Sequence, residues 1–350
     1  MNIRSSTVRI ALNQLLAFSL GVLVPVLPGM AAPEYHVTGK ISLSGPGGWD
    51  YVAADSDNRK LYVSHATVVD VVDLDSGKMI GQIPNTNGVH GIAIANDLGR
   101  GFISAGRDND VVIFDLKTFK TIGTAKTGTN PDGIVYEPTT QRVFAFNGRS
   151  GDATAIDAKT GSIVGTIALG GKPEFPVADG RGNVFANIED KNEIVHLDPK
   201  TLTVKAHWSI APAESPSGLA IDTSSHRLFS VCDGKVMVVL DYDNGKVITR
   251  VPIGDGPDAA GFDPGAHLAF SSNGDDGTLT VVKEESKNKF SVVSNIPTEK
   301  GARTMAIDLK THKIYLPDAE FGPAPAPTES NPHPRRSIVP GSFHLLVVSE

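Results

Sequence analysis

Valine and isoleucine alternate with small or polar residues along most of the chain, in short runs broken by Asp, Asn, Gly and Pro. A period of two sends successive side chains to opposite faces, so the runs are read as strands. The runs recur in sets of four. One set is Val52–Asp55, Leu61–Ser64, Val69–Leu74 and Met79–Ile83; the next is Gly91–Ala95, Gly101–Ser104, Val111–Leu116 and Thr121–Ala125. A third follows at Gly133–Glu137, Val143–Phe146, Thr154–Ala158 and Ile163–Ile167. An Asp closes the third strand at Asp73, Asp115, Asp157, Asp198 and Asp241, with spacings of 42, 42, 41 and 43 residues, and Lys283 continues the register. Turns rich in Asp, Asn and Gly follow, which suits a turn-forming role for these Asp residues.

Four strands in about 42 residues is the spacing of a β-propeller blade. Seven copies begin near Asp50, His90, Asp132, Glu174, Ser217, Asp258 and Arg303. The expected fold is therefore all-β: a seven-bladed β-propeller with four antiparallel strands per blade. The seventh copy has three strands, at Thr304–Asp308, Lys313–Leu316 and Phe343–Val348. His36–Leu43 resembles the fourth strands elsewhere and is expected to close the ring by pairing with the last blade, which removes exposed sheet edges.

Lys60-Leu61-Tyr62-Val63-Ser64, Val143-Phe144-Ala145-Phe146-Asn147, Ala155-Ile156-Asp157 and Thr160 to Ile167 resemble the blade pattern of the YVTN-type (YncE-like) propeller family. The resemblance runs from about residue 35 to the end. It implies the fold and an envelope setting, and it leaves function open, because the motif residues are structural.

Ahead of the repeats, Arg4 and Arg9 precede an apolar run from Leu15 to Leu27, and small residues reach Ala31. This reads as a secretory signal over residues 1–31, with the propeller as one domain over 34–350. The run is short for a membrane span and Pro25 interrupts it. A periplasmic or secreted protein follows, with no span after signal removal, expected as a monomer. Cleavage removes two arginines and takes the formal net charge from −7 to −9. An acidic surface makes nucleic acid an unsuitable partner. Cys232 is the only cysteine, so there is no internal disulfide and no Cys-x-x-Cys-His for covalent haem. It is read as a buried strand residue.

Candidate chemistry sits where the innermost strand begins and the second strand ends, on one face of the ring. The entry column is Asp50, His90, Asp132, Glu174, Ser217, Asp258 and Arg303. The exit column includes His65, Asn147, Cys232, Asn273 and Asp318. Carboxylates suit Ca²⁺, and histidine admits Zn²⁺, so His90, Asp132 and Glu174 are the metal candidates. Trp49 could stack a flat ligand or pack in the core. A proline-rich insertion, Pro317–Ser342, should leave on the same face, with His333, Arg335 and Arg336 as lid residues. Gly45 to Gly48 lacks the Lys and helix of a phosphate loop, and no serine-hydrolase or zinc-protease motif is present.

Two functions fit. One is an exported binding module for a small molecule, peptide or envelope protein on the channel-mouth face that carries the insertion. The other is a divalent-metal-dependent hydrolase, lactonase- or esterase-like, using the acidic ring. The absence of an evident nucleophile ranks binding first.

Overall fold

The structure is a computed structural model that describes Met1, residues 34–45 and 48–326, Thr328 and residues 336–350. The expected signal and its cleavage residues lie outside the described residues, as do His333 and Arg335. Glu34–Glu350 forms one compact unit.

Seven four-stranded antiparallel sheets follow one another along the chain. Blade 1 runs from Val52–Asp55 to Met79–Ile83, blade 2 from Val89–Ala95 to Thr121–Lys126, and blade 3 from Pro131–Glu137 to Ile163–Ala168. Blade 4 runs from Pro173–Ala178 to Thr203–Ser209, blade 5 from Glu214–Asp222 to Lys246–Pro252, and blade 6 from Pro257–Asp263 to Lys289–Pro297. Blade 7 has Ala306–Asp308, Lys313–Asp318 and His344–Ser349. Its outer strand is His36–Ser42, paired antiparallel with His344–Ser349 from His36 opposite Ser349 to Ser42 opposite His344. The ring is thus closed by the first strand of the chain. This is a seven-bladed β-propeller, and no helix among the described residues is long and apolar enough to cross a membrane.

Burial explains the pattern. Second and third strands lie between neighbouring sheets and are buried on both faces, as in Lys60–His65 and Asp110–Asp115. Outer strands alternate, as in His36–Ser42 and Thr203–Ser209. Each gap between blades is filled by its own apolar cluster, such as Tyr62, Ile103 and Phe114 between blades 1 and 2. The Asp after each third strand caps its turn. Asp73 Oδ1 accepts from the Ser76 N–H at 2.8 Å, and Asp157 Oδ1 from the Thr160 N–H at 2.7 Å.

The last blade differs from the sequence reading in one detail. Its second strand includes Pro317 and Asp318, so the insertion begins at Ala319 rather than Pro317. Its base is a ribbon: Gly322 N–H donates to the Ser337 carbonyl at 2.8 Å, Val339 N–H to the Glu320 carbonyl at 2.8 Å, and Phe321 bridges Ile338.

Candidate ligand-binding site at the channel mouth

The entry residues sit where each innermost strand starts, and hydroxyls and amides of neighbouring blades hold their backbones. Ser104 Oγ donates to the Asp132 carbonyl at 2.5 Å, Ser272 Oγ to that of Arg303 at 2.5 Å, and Thr304 Oγ1 to that of Asp50 at 2.6 Å. Asn187 Nδ2 donates to the Ser217 carbonyl at 2.9 Å, and Ser217 Oγ to the Asp258 carbonyl at 2.8 Å. Five of the seven entry residues are thus positioned by the preceding blade. Glycine follows the entry residue in blades 2, 3 and 5. A Cβ at Gly133 would meet the Glu174 carbonyl oxygen at 2.6 Å and Pro176 Cδ at 2.5 Å, so the inner strands need bare backbone to close up here.

The ring is a chain of charge pairs. His90 Nδ1 lies 2.5 Å from Asp50 Oδ2 and 3.6 Å from Asp132 Oδ1. Arg303 bridges Asp50, at 3.3 Å, and Asp258, which also accepts from Ser217 Oγ at 2.9 Å. Glu174 pairs with Lys172 at 2.7 Å, and Lys172 also reaches Glu189. Four carboxylates thus face three cationic partners. Burial pushes the Asp132 carboxyl up to about 6, with the Asp50 charge adding and His90 opposing. Burial and the Asp132 charge push Glu174 up to about 7 against Lys172. Burial works against a charged His90, but the hydrogen bond to Asp50 and the surrounding carboxylates outweigh it and raise its pKa.

Beneath the ring two aromatic side chains meet across the axis. Tyr51 and Phe175 follow Asp50 and Glu174 in blades 1 and 4, and their rings meet edge-to-face with centroids 5.0 Å apart. Blades three places apart in a ring of seven touch only across the axis. Tyr51 is buried, and burial followed by the charges of Asp132, Asp50 and Glu174 raises its hydroxyl pKa well above the ordinary value. The mouth is a polar cup with an aromatic floor.

The exit column lies elsewhere. His65, Asn147, Asn273 and Asp318 are buried inside their blades rather than around the mouth. The end of the second strand points toward the third strand of its own sheet. His65 Nδ1 lies 2.8 Å from Asp70 Oδ2, Asn147 Nδ2 donates to Thr154 Oγ1 at 3.0 Å, and Asn273 Nδ2 to Thr280 Oγ1 at 3.0 Å. Asp318 accepts from the Ala319 N–H at 2.8 Å. Cys232 is a buried strand residue, as its setting in the repeat implied, and burial pushes its thiol up to about 12.

The metal candidates also regroup. Asp50, His90 and Asp132 offer ligand atoms within 4.8 Å of one another, whereas Glu174 is turned to Lys172. A cation here would have to displace the proton that His90 shares with Asp50. The donor set fits a hard or borderline cation with three protein ligands.

Beside the ring, across blades 6, 7 and 1, lies a recess of about 630 Å³. Trp49, Lys300, Arg303, Phe321, Arg336 and Asp275 line it, together with Ile338 and four glycines. Trp49 stacks on Phe343 with centroids 5.5 Å apart and leans on Phe321 at 5.9 Å, so it packs against the core while lining the recess. Arg336 is the one lid candidate among the described residues, and it belongs to this recess. Lys172, Lys300, Tyr51 and Phe175 were not singled out from the sequence. The signal available was positional: Tyr51 and Phe175 replace the small residue that follows the entry residue in the other blades.

Fold and site together define a seven-bladed β-propeller with a charged mouth and an adjoining recess. Among solved structures the chain is similar to hydrazine synthase of Kuenenia stuttgartiensis, with a TM-score of 0.70 at 14% identity over 80% of this chain and 95% of that one. At that identity the likeness is one of fold alone. No protein-family model matches the chain, and no curated protein matches its sequence.

Proposed function

We propose that this is an exported YVTN-type propeller, periplasmic or secreted, that acts as a binding module through its channel-mouth face. The observation that carries the reading is the polar cup. Tyr51 and Phe175 meet across the axis beneath the ring, which favours a receptacle over a conduit. Concave sites with a few convergent polar groups and perturbed acids are where ligands bind. The recess and the base of the insertion enlarge the same face. A thermal-shift screen of organic anions, organic cations and short peptides tests it. The expected result is a stabilising compound whose effect is reduced by substitutions on the mouth face (His90→Gln with Asp132→Asn, or Lys300→Ala with Arg336→Ala). Arg142→Ala with Arg181→Ala, two residues that line a separate groove with Thr140 and Lys200, should leave it intact; the opposite pattern rejects the reading.

A second reading, a metal-dependent hydrolase, draws on the convergence of Asp50, His90 and Asp132. A metal held by three protein groups would keep a position for water and supply a nucleophile. The test is elemental analysis of chelator-free protein beside an Asp132→Ala/His90→Ala variant. About one equivalent of metal, lost in the variant, favours this reading and calls for lactone and ester assays. No metal in either leaves the ring as a binding surface.

A further inference from the structure

We propose that the recess beside the ring is the principal ligand site, and that it takes a small organic monoanion with a flat apolar body, such as an aromatic carboxylate. The inference rests on the mouth-face reading and says where on that face the ligand sits and what its chemistry is.

Three observations carry it. The first is size and shape: about 630 Å³ falls in the range that encloses a small molecule. The second is the wall. Trp49 is held between Phe343 and Phe321, and Phe321 is pinned in turn by its bridge to Ile338. The apolar surface is therefore fixed before any ligand arrives, which lowers the ordering cost of binding. Phe321 is nonetheless 37% exposed, so part of its ring is left open on the side of the recess.

The third is charge. Within the ring, Arg303 is balanced by Asp258, and His90 by Asp50. Among the described residues neither Lys300 nor Arg336 pairs with a carboxylate, and Asp275 pairs with no cationic side chain. Two unpaired cations against one unpaired acid leave the recess with a single net positive charge, in a chain whose formal charge is −7. That balance suits a monoanion better than a polyphosphate, and it repels organic cations. Asp275 adds an acceptor for a hydroxyl or amide hydrogen on the ligand. A carboxylate between Lys300 and Arg336 gains charge-assisted hydrogen bonds, and the aromatic wall takes the flat body.

The test uses the mature chain and naphthalene-2-carboxylate as probe, followed by Trp49 fluorescence and calorimetry. The neutral naphthalene-2-carboxamide and the cation 2-naphthylmethylamine serve as comparisons. The expected result is one carboxylate site, weakened by about tenfold or more in Lys300→Ala/Arg336→Ala, with a similar loss for the amide, no amine binding, and affinity falling with added salt. Both side chains are exposed, so this variant should keep the wild-type circular dichroism and melting point, and both are checked. Equal affinity for carboxylate and amide, an unaffected double variant, or no binding at millimolar probe each overturns the inference. If His90→Gln/Asp132→Asn weakens the carboxylate and the recess pair does not, the recess assignment falls while the mouth-face reading stands. If neither pair matters, both fall.

Discussion

Asp318 is a carboxyl that the fold would rather keep protonated. It is 1% exposed, at the end of the second strand of blade 7, with the Ala319 N–H as a donor at 2.8 Å. Burial pushes its pKa from 3.8 up to about 7; the nearby Glu299 charge adds to this, and His344 and Lys40 pull the other way. A folded-state pKa above the unfolded one means that folding favours the protonated form. The contribution of Asp318 is therefore most favourable below about pH 4. It is lost progressively as pH rises, and is gone above about pH 7. A shift of roughly three units, at about 1.4 kcal/mol each, sets an upper bound near 4 kcal/mol. Relaxation around the ionised group brings the expected loss to about 2–4 kcal/mol. Asp318→Asn keeps the shape and the acceptor for Ala319 but cannot ionise. Urea unfolding, read by Trp49 and Trp208 fluorescence between about pH 5 and pH 8, should show the variant gaining on the wild type as pH rises. A constant difference across that range would refute the reasoning, since only ionisation at this site makes the difference depend on pH.

Three further perturbations separate other parts of the argument. Asp308 is fully buried; burial opposes its charge, but hydrogen bonds from Thr311, Arg59 and Ser56 prevail and hold its carboxyl below the usual range. Arg59→Met, which removes the 2.7 Å pair, should cost about 2–4 kcal/mol at neutral pH. The loss should shrink as pH falls through the carboxylate range and Asp308 takes up its proton; a pH-independent loss in urea unfolding would count against the ion pair. Gly133→Val puts a Cβ against the next inner strand and should lower stability by about 1–3 kcal/mol, whereas Gly123→Val, with open space, should change it by less than about 0.5 kcal/mol; equal melting shifts would remove the close-approach argument. Phe175→Ala should open the channel floor, costing about 1–3 kcal/mol and bringing the Tyr51 hydroxyl down toward its ordinary range in an ultraviolet pH titration; an unmoved tyrosine would mean that Phe175 does not seal it.

The propeller was legible because its evidence is redundant. Each blade repeats the same alternation, and the missing strand of the last copy has a visible replacement in His36–Ser42. The entry ring was legible for a related reason: its members recur at the same point of each repeat, near the start of the innermost strand. The exit column was not. A period of two says that alternate side chains share a face, but not that the end of the second strand turns toward Thr154 or Asp70 in its own sheet. Glu174 lies outside the Asp50, His90 and Asp132 group for a local reason, since Lys172 two residues earlier pairs with it. The floor and the recess depend on contacts between residues far apart in the chain, Tyr51 with Phe175 and Trp49 with Phe321, which no local pattern records.

Closure by the first strand also sets an order in time. A ribosome delivers His36–Ser42 before any of the blades and His344–Ser349 after all of them, yet the two are neighbours in one sheet. Until His344–Ser349 is in place, His36–Ser42 has no native partner, and the last blade lacks two of its four strands. An unpaired edge of that kind is open to pairing with another chain. Closing the ring therefore depends on bringing together two segments far apart in sequence, and the exposure that closure removes belongs to the chain before it folds rather than after.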